Sequence, residues 1–416
     1  MEGVRVALHP LTFVEEGEDV VIGRSDIDSF AVFPADAAAV VGWLRDGATI
    51  ADAARRYTAA YGEEADIEDL VDMLDELRFI RRDEEDEGDA KSGPQPDGPG
   101  AVPLQRLGAA VFSAPAWALY AVLTAAALAV AVRHPQLRPG PSKVFFSPSL
   151  LLVELASFLG QFPGIALHES FHVLAGRRLG LPSRLSLGRR LYFVVFQTTL
   201  VGLMGVPRRK RVLPVLAGLL ADALVASVLI LAAEADLLVH GEVTVWGGLA
   251  LALAFGALMR MAWQCLFFLE TDLHHLFAHT LALPDLQELA RSYLRERTAW
   301  LPRRRRTATT AVSARATDRE LAVLRWYVPL LVLGSTALCV LAATAALPVL
   351  VGFATRFHSA LSSGSLDQGF WDAAVAALIM FTQFGVAAWI AVRDRLRRAA
   401  AARTAPSPGK TGRRAG

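Results

Sequence analysis

Cysteine is nearly missing from this chain: Cys265 and Cys339 are the two in 416 residues. That excludes a disulfide scaffold and a multi-cysteine zinc module. Both lie in apolar stretches, where cysteine serves as small core filling. Charge is scarce too, with 20% charged residues against 53% hydrophobic. Mean hydropathy is positive because of long uncharged runs, which argues against an ordinary soluble enzyme. No fixed-period repeat is present. The N-terminus lacks the basic-then-apolar pattern of a signal peptide, so the expectation is that the first domain stays in the cytosol.

The net charge of +1 conceals an asymmetry. Residues 1–90 hold 24 acidic and 8 basic residues, whereas the rest hold 17 acidic and 34 basic. An acidic head precedes a basic, apolar body. Residues 1–82 read as a small soluble domain. Alternating runs at Thr12–Glu15, Asp19–Ile22 and Asp28–Val32 predict strands. Three helical patterns follow, at Pro34–Leu44, Thr49–Tyr61 and Asp66–Leu77, and Phe79-Ile80 adds a closing strand. Residues 83–103 read as an acidic, Pro/Gly-rich linker with no means of forming a core.

Residues 104–398 contain six segments apolar enough to cross a hydrocarbon layer about 30 Å thick. They are Ala109–Val132, Leu150–Leu174, Val212–Ala233, Trp246–Leu269, Trp326–Val351 and Phe370–Val392. The fold class expected is therefore a polytopic α-helical membrane protein with a small N-terminal α+β, winged-helix-like cytosolic domain. Residues 399–416 read as a basic disordered tail touching anionic lipid. Basic residues concentrate in the 175–211 loop, the 270–325 loop and the tail, while 234–245 has none and 352–369 has only Arg356. This distribution puts both termini and both basic loops on the cytosolic side of a bacterial-type cytoplasmic membrane. Arg133, Arg138 and Lys143 are outvoted.

The second apolar segment ends in His168-Glu169-Ser170-Phe171-His172. On a helix, positions i and i+4 share a face, so both imidazoles can hold one zinc ion. Glu169 is then placed to take a proton from a water at the metal. The bland alternative is two helix-face histidines beside a cytosolic glutamate. Ionisable residues at the end of a membrane segment are costly and usually functional, which favours the site. A catalytic zinc needs a third protein ligand. The fourth segment ends at Leu269-Glu270-Thr271-Asp272, which puts Asp272 at the same depth. His274, His275 and His279 are its rivals, as ligands or as partners of a ligand. Asp222 and Arg260 both fall mid-segment, and an ion pair between them would lower the cost of burying each. Glu154 lies about 21 Å along a straight helix from His168, too far for chemistry at the metal.

Ala166 through Gly180, around the His-Glu-x-x-His core, resembles the active-site helix of site-2-protease-like (M50) membrane metallopeptidases. The resemblance covers mainly residues 145–280. It implies His168 and His172 as zinc ligands, Glu169 as general base and Asp272 as the aspartate ligand, although the family's Asp-Gly is here Asp272-Leu273. It also implies that the β-branched and aromatic stretch Leu191–Thr199 forms strands beside the catalytic cleft, where edge addition would hold a peptide extended. The alternative for that stretch is a buried hairpin at the membrane surface.

In the head, Ala35–Val41, Asp46-Gly47-Ala48-Thr49, Tyr61-Gly62 and Asp69–Leu77 resemble the PqqD-like fold over about residues 12–82. That resemblance implies recognition of the leader of a ribosomally made, modified peptide, taken up as an added strand. The acidic charge of the head opposes nucleic acid as a partner. Together the two resemblances imply a zinc metalloendopeptidase that cleaves a peptide or protein precursor captured by the head, with membrane lipid as the other partner. The alternatives are a regulatory intramembrane protease acting on a membrane-anchored regulator, and a non-catalytic scaffold or export helper.

Overall fold

A computed structural model describes residues 5–81, 102–190, 193–264, 286–297, 318–362 and 367–404. The protein is mostly helical, with a small N-terminal three-stranded sheet and six helices long and apolar enough to cross a membrane.

The head opens with β1 (Thr12–Glu16), β2 (Asp19–Arg24) and β3 (Ser29–Pro34), antiparallel in the order β1-β2-β3. Gly17, at φ 74, supplies the left-handed residue of the first turn. Three helices follow: α1 (Ala35–Arg45), α2 (Ile50–Tyr61) and α3 (Ile67–Glu76). The hydroxyl of Thr49 caps α2 by accepting from the Asp52 amide, and Asp66 caps α3 by accepting from the Asp69 amide. Each such cap contributes about 1 kcal/mol. Ile22, Phe33, Val41, Leu44, Leu74 and Phe79 close a core that belongs to the head alone. The expected closing strand is reduced to an isolated bridge between Ile80 and Leu8.

The body begins with a short helix, α4 (Gln105–Val111), and then α5 (Ala114–Arg133). The sequence predicts one helix from Ala109. Instead it breaks at Phe112, and Ser113, ahead of Pro115, caps a new start by accepting from the Ala116 amide. Next come α6 (Leu150–Arg178), α7 (Arg208–His240) and α8 (Val245–Gln264). Between α6 and α7 lies the hairpin β4 (Ser183–Arg190) and β5 (Phe193–Leu200). Beyond it, α9 (Leu286–Arg297) occupies part of the basic stretch read as a loop. α10 (Asp318–Leu341) runs through a π-helical turn at Ala342–Ala346 into α11 (Leu347–Ser362), so the fifth apolar segment is longer than its hydropathy core. The last helix, α12 (Gln368–Thr404), continues into residues read as tail because Ala399 to Ala402 are strong helix formers.

Packing of α6 against α7 positions the site. Ala217 and Ala221 are fully buried against Phe171 and Ala175, and these small side chains let the helix axes approach. Phe112 meets Phe171 edge to face at 5.8 Å. At the other end of α6, Asp372 of α12 accepts from the Leu150 amide at 2.7 Å and from the Ser149 hydroxyl, fixing the helix start.

The head contacts the body where β5 leads into α7. Gly202, at φ 79, donates its amide to Asp28 at 2.8 Å. The Glu16 carboxylate pairs with both Arg208 and Arg211 at the start of α7. Arg211 also donates to the Met204 and Val206 carbonyls, which shape the turn between β5 and α7.

Candidate metal centre

The His-Glu-x-x-His motif lies on one unbroken helix. Pro163 sits inside α6 without interrupting it. His168 and His172 are one turn apart and both buried. Facing them, one stripe of α7 carries Pro214, Gly218 and Asp222 at successive i, i+4 positions. α6 and α7 run antiparallel, so the stripes match in reverse. His172 Nδ1 lies 2.7 Å from the Pro214 carbonyl oxygen, and His168 Nδ1 lies 2.9 Å from Asp222 Oδ2.

Gly218 makes this match possible. A Cβ there would collide with Nε2 of both histidines. Without one, both rings reach past position 218.

The partners determine the tautomers. A carbonyl oxygen only accepts, so His172 carries its proton on Nδ1 and donates it to Pro214. His168 likewise donates from Nδ1 to the Asp222 carboxylate. An imidazole whose one proton is on Nδ1 has Nε2 free to accept a proton or bind a metal. These two nitrogens stand 3.2 Å apart. Two such nitrogens at that distance are held together by a proton or a metal ion shared between them. Two donors to one tetrahedral zinc, each at about 2.0–2.1 Å, stand about 3.3 Å apart. The pair therefore fits a zinc ion.

Glu169 is half-buried on the neighbouring face of α6, and the Thr198 hydroxyl of β5 donates to its Oε2 at 2.7 Å. Of the stretch Leu191–Thr199, residues 193–199 lie in β5, the second strand of the β4–β5 hairpin, and Thr198 touches the glutamate of the motif.

Asp222 does more than pair with Arg260. Its Oδ1 accepts from Arg260 Nε at 3.0 Å and Nη2 at 2.8 Å, while Oδ2 faces His168. The Nη1 of Arg260 donates to Gln161 of α6. Sequence reasoning found the ion pair and missed its connection to the motif. The available signal was a carboxylate in an apolar run at the depth of the histidines. Glu154 lies far up α6, where the Gln383 amide donates to it at 3.3 Å.

Asp272, Glu270, His274, His275 and His279 lie outside the described residues. Among the described residues, no group of three His, Cys, Asp or Glu side chains is arranged to hold a metal. The histidines supply two donors, and Asp222 spends its oxygens on His168 and Arg260.

Comparison of the chain with family models, with curated proteins and with solved structures finds no match.

Proposed function

We propose that this protein is a membrane-embedded zinc metalloendopeptidase that cleaves a peptide precursor captured by its N-terminal domain. The observation that carries the reading is the pair of Nε2 acceptors 3.2 Å apart, each fixed by a partner on its own Nδ1. His168 and His172 would hold the metal, with Asp272 as the third ligand in keeping with the resemblance to M50 peptidases. A zinc ion bound there supplies a Lewis acid that polarises the scissile carbonyl and activates water. Glu169 takes the proton released by the attacking water and passes it to the leaving amine. Thr198 holds the carboxylate of Glu169 in position until the water binds. The β4–β5 hairpin, beside Glu169, offers strand pairing to an extended substrate.

In this reading the six apolar helices lie in a bacterial-type cytoplasmic membrane, with both termini and the basic loops cytosolic. The head is a winged-helix-like domain similar to PqqD-like leader-binding domains. It is docked rather than loosely tethered, so a captured peptide starts from a fixed position near the hairpin.

The test is the zinc content of detergent-purified protein beside Glu169→Gln, His168→Ala and Asp272→Ala. Zinc near one per chain, kept in Glu169→Gln and lost in the two ligand variants, supports the reading. An empty wild type after zinc supplementation overturns it.

A further inference from the structure

We propose that Asp222 is a positioning residue for the metal centre, and that Arg260 and Gln161 set which way its carboxylate faces. This inference rests on the metal reading above.

Asp222 is fully buried, and its two oxygens have separate duties. Oδ2 accepts the Nδ1 proton of His168, leaving Nε2 of that ring as the donor to a metal. Oδ1 takes two hydrogen bonds from the Arg260 guanidinium. Arg260 is held in turn by Gln161, about two helical turns before His168. Space for this arrangement is built in: a Cβ at Gly164 would press on Arg260, and one at Gly256 would collide with Gln161. Three helices thus converge on the orientation of one imidazole. A carboxylate behind a ligating histidine fixes its tautomer and raises its basicity, and loss of such a partner costs about 10–100-fold in metal affinity.

The arrangement predicts an uncommon pattern of rescue. In Asp222→Asn the amide has one oxygen, and Arg260 competes for it with two donors. The amide nitrogen then faces His168 and forces the ring into the Nε2–H tautomer, which cannot ligate. Replacing Arg260 by Met removes the competitor, so the asparagine oxygen turns to His168.

The experiment is zinc affinity by competition with a chromophoric chelator, together with the visible absorption of the cobalt(II)-loaded protein. It uses full-length protein in detergent that elutes as a single symmetric species. The expected results are a fall of about 10–100-fold in Asp222→Asn and partial recovery in Asp222→Asn/Arg260→Met. No recovery is expected in Asp222→Leu/Arg260→Met, which has no acceptor for His168. Both double variants lack an orphaned buried charge, so they decide the matter if Asp222→Asn misfolds. Equal zinc affinity in the two double variants overturns the proposal while leaving the metal reading intact. A wild type that binds no zinc overturns both.

Discussion

Glu16 in the head and Arg211 at the start of α7 form an ion pair in which both side chains are almost wholly buried, at 2% and 1% exposure. Arg208 shares the same carboxylate. Removing one partner of a buried pair leaves an uncompensated charge and costs about 3–5 kcal/mol. Glu16→Ala is expected to loosen the head from the body. Faster hydrogen exchange at the Gly202 amide, which donates to Asp28 across the same interface, would report the release. Unchanged exchange there would show that Glu16 does not hold the head.

Gly218→Ala places a methyl group where the two imidazole edges meet. The rings are fixed on their far sides by Asp222 and Pro214 and have little room to retreat. Overpacking of this kind costs about 1–3 kcal/mol, so zinc affinity should fall by about 5–150-fold. Equilibrium dialysis against zinc measures it. Full affinity in a folded Gly218→Ala would mean that the rings adopt another arrangement when the metal binds.

Glu169→Gln is expected to keep the metal and to lose about 10²–10⁴-fold in peptide hydrolysis, the range for removal of a general base. Thr198→Val should have a smaller effect, about 10–150-fold, because one hydrogen bond to a charged group contributes about 1.5–3 kcal/mol. The two variants separate proton transfer from orientation. Loss of metal in Glu169→Gln would point to Glu169 as a ligand instead.

The head should weaken at both extremes of pH. The Tyr57 hydroxyl donates to Asp36 at 2.7 Å. This bond, more than the Ala37 amide, holds the Asp36 carboxyl below its ordinary 3.8. Arg24 does the same for Asp26, chiefly by its hydrogen bond. Their contribution is present above the unfolded value and is lost as pH falls through the lower folded value. The same bond raises Tyr57 above its ordinary 10.0, so its contribution is lost as pH climbs past that value. Hydrogen exchange over residues 35–61 of the full chain, corrected for intrinsic rates, should show greatest protection between these limits. Protection rising steadily below pH 3.8 would contradict this.

Orientation is open to direct measurement. If the proposed orientation holds and both basic loops are cytosolic, Glu242→Cys, in the turn between α7 and α8, should label from outside intact cells. A cysteine at Asp66 in the head should label only after permeabilisation. The reverse pattern would invert the topology.

Much of this arrangement is legible in the sequence, and the remainder has specific reasons for being hidden. The i, i+4 spacing of His168 and His172 is a local property of one helix, so it can be read directly. The Asp222–Arg260 pair can be read because two charges in apolar runs demand each other. The bond from Asp222 to His168 depends on the register of two helices across 54 positions. The Pro214 carbonyl leaves no side-chain signature at all. It faces His172 because position 218, one turn later, has no side chain. The docking of the head is foreshadowed only in bulk, as an acidic segment followed by a basic one. Its actual contacts, Glu16 to two arginines and Asp28 to an amide, need the turn geometry after β5.

The Glu16–Arg211 contact also imposes an order of events during synthesis. Its partners are 195 positions apart, so at about 5–20 residues per second the ribosome needs roughly 10–40 s to supply the second after the first. The head has a core of its own and can be complete long before Arg211 exists. Docking is therefore a late step of assembly, available only once α6 and the hairpin have been made and α7 has begun. Until then the finished head waits beside an unfinished body, and Asp222, the partner of His168, leaves the ribosome only after Arg211, so the surroundings of His168 are completed no earlier than the head can dock.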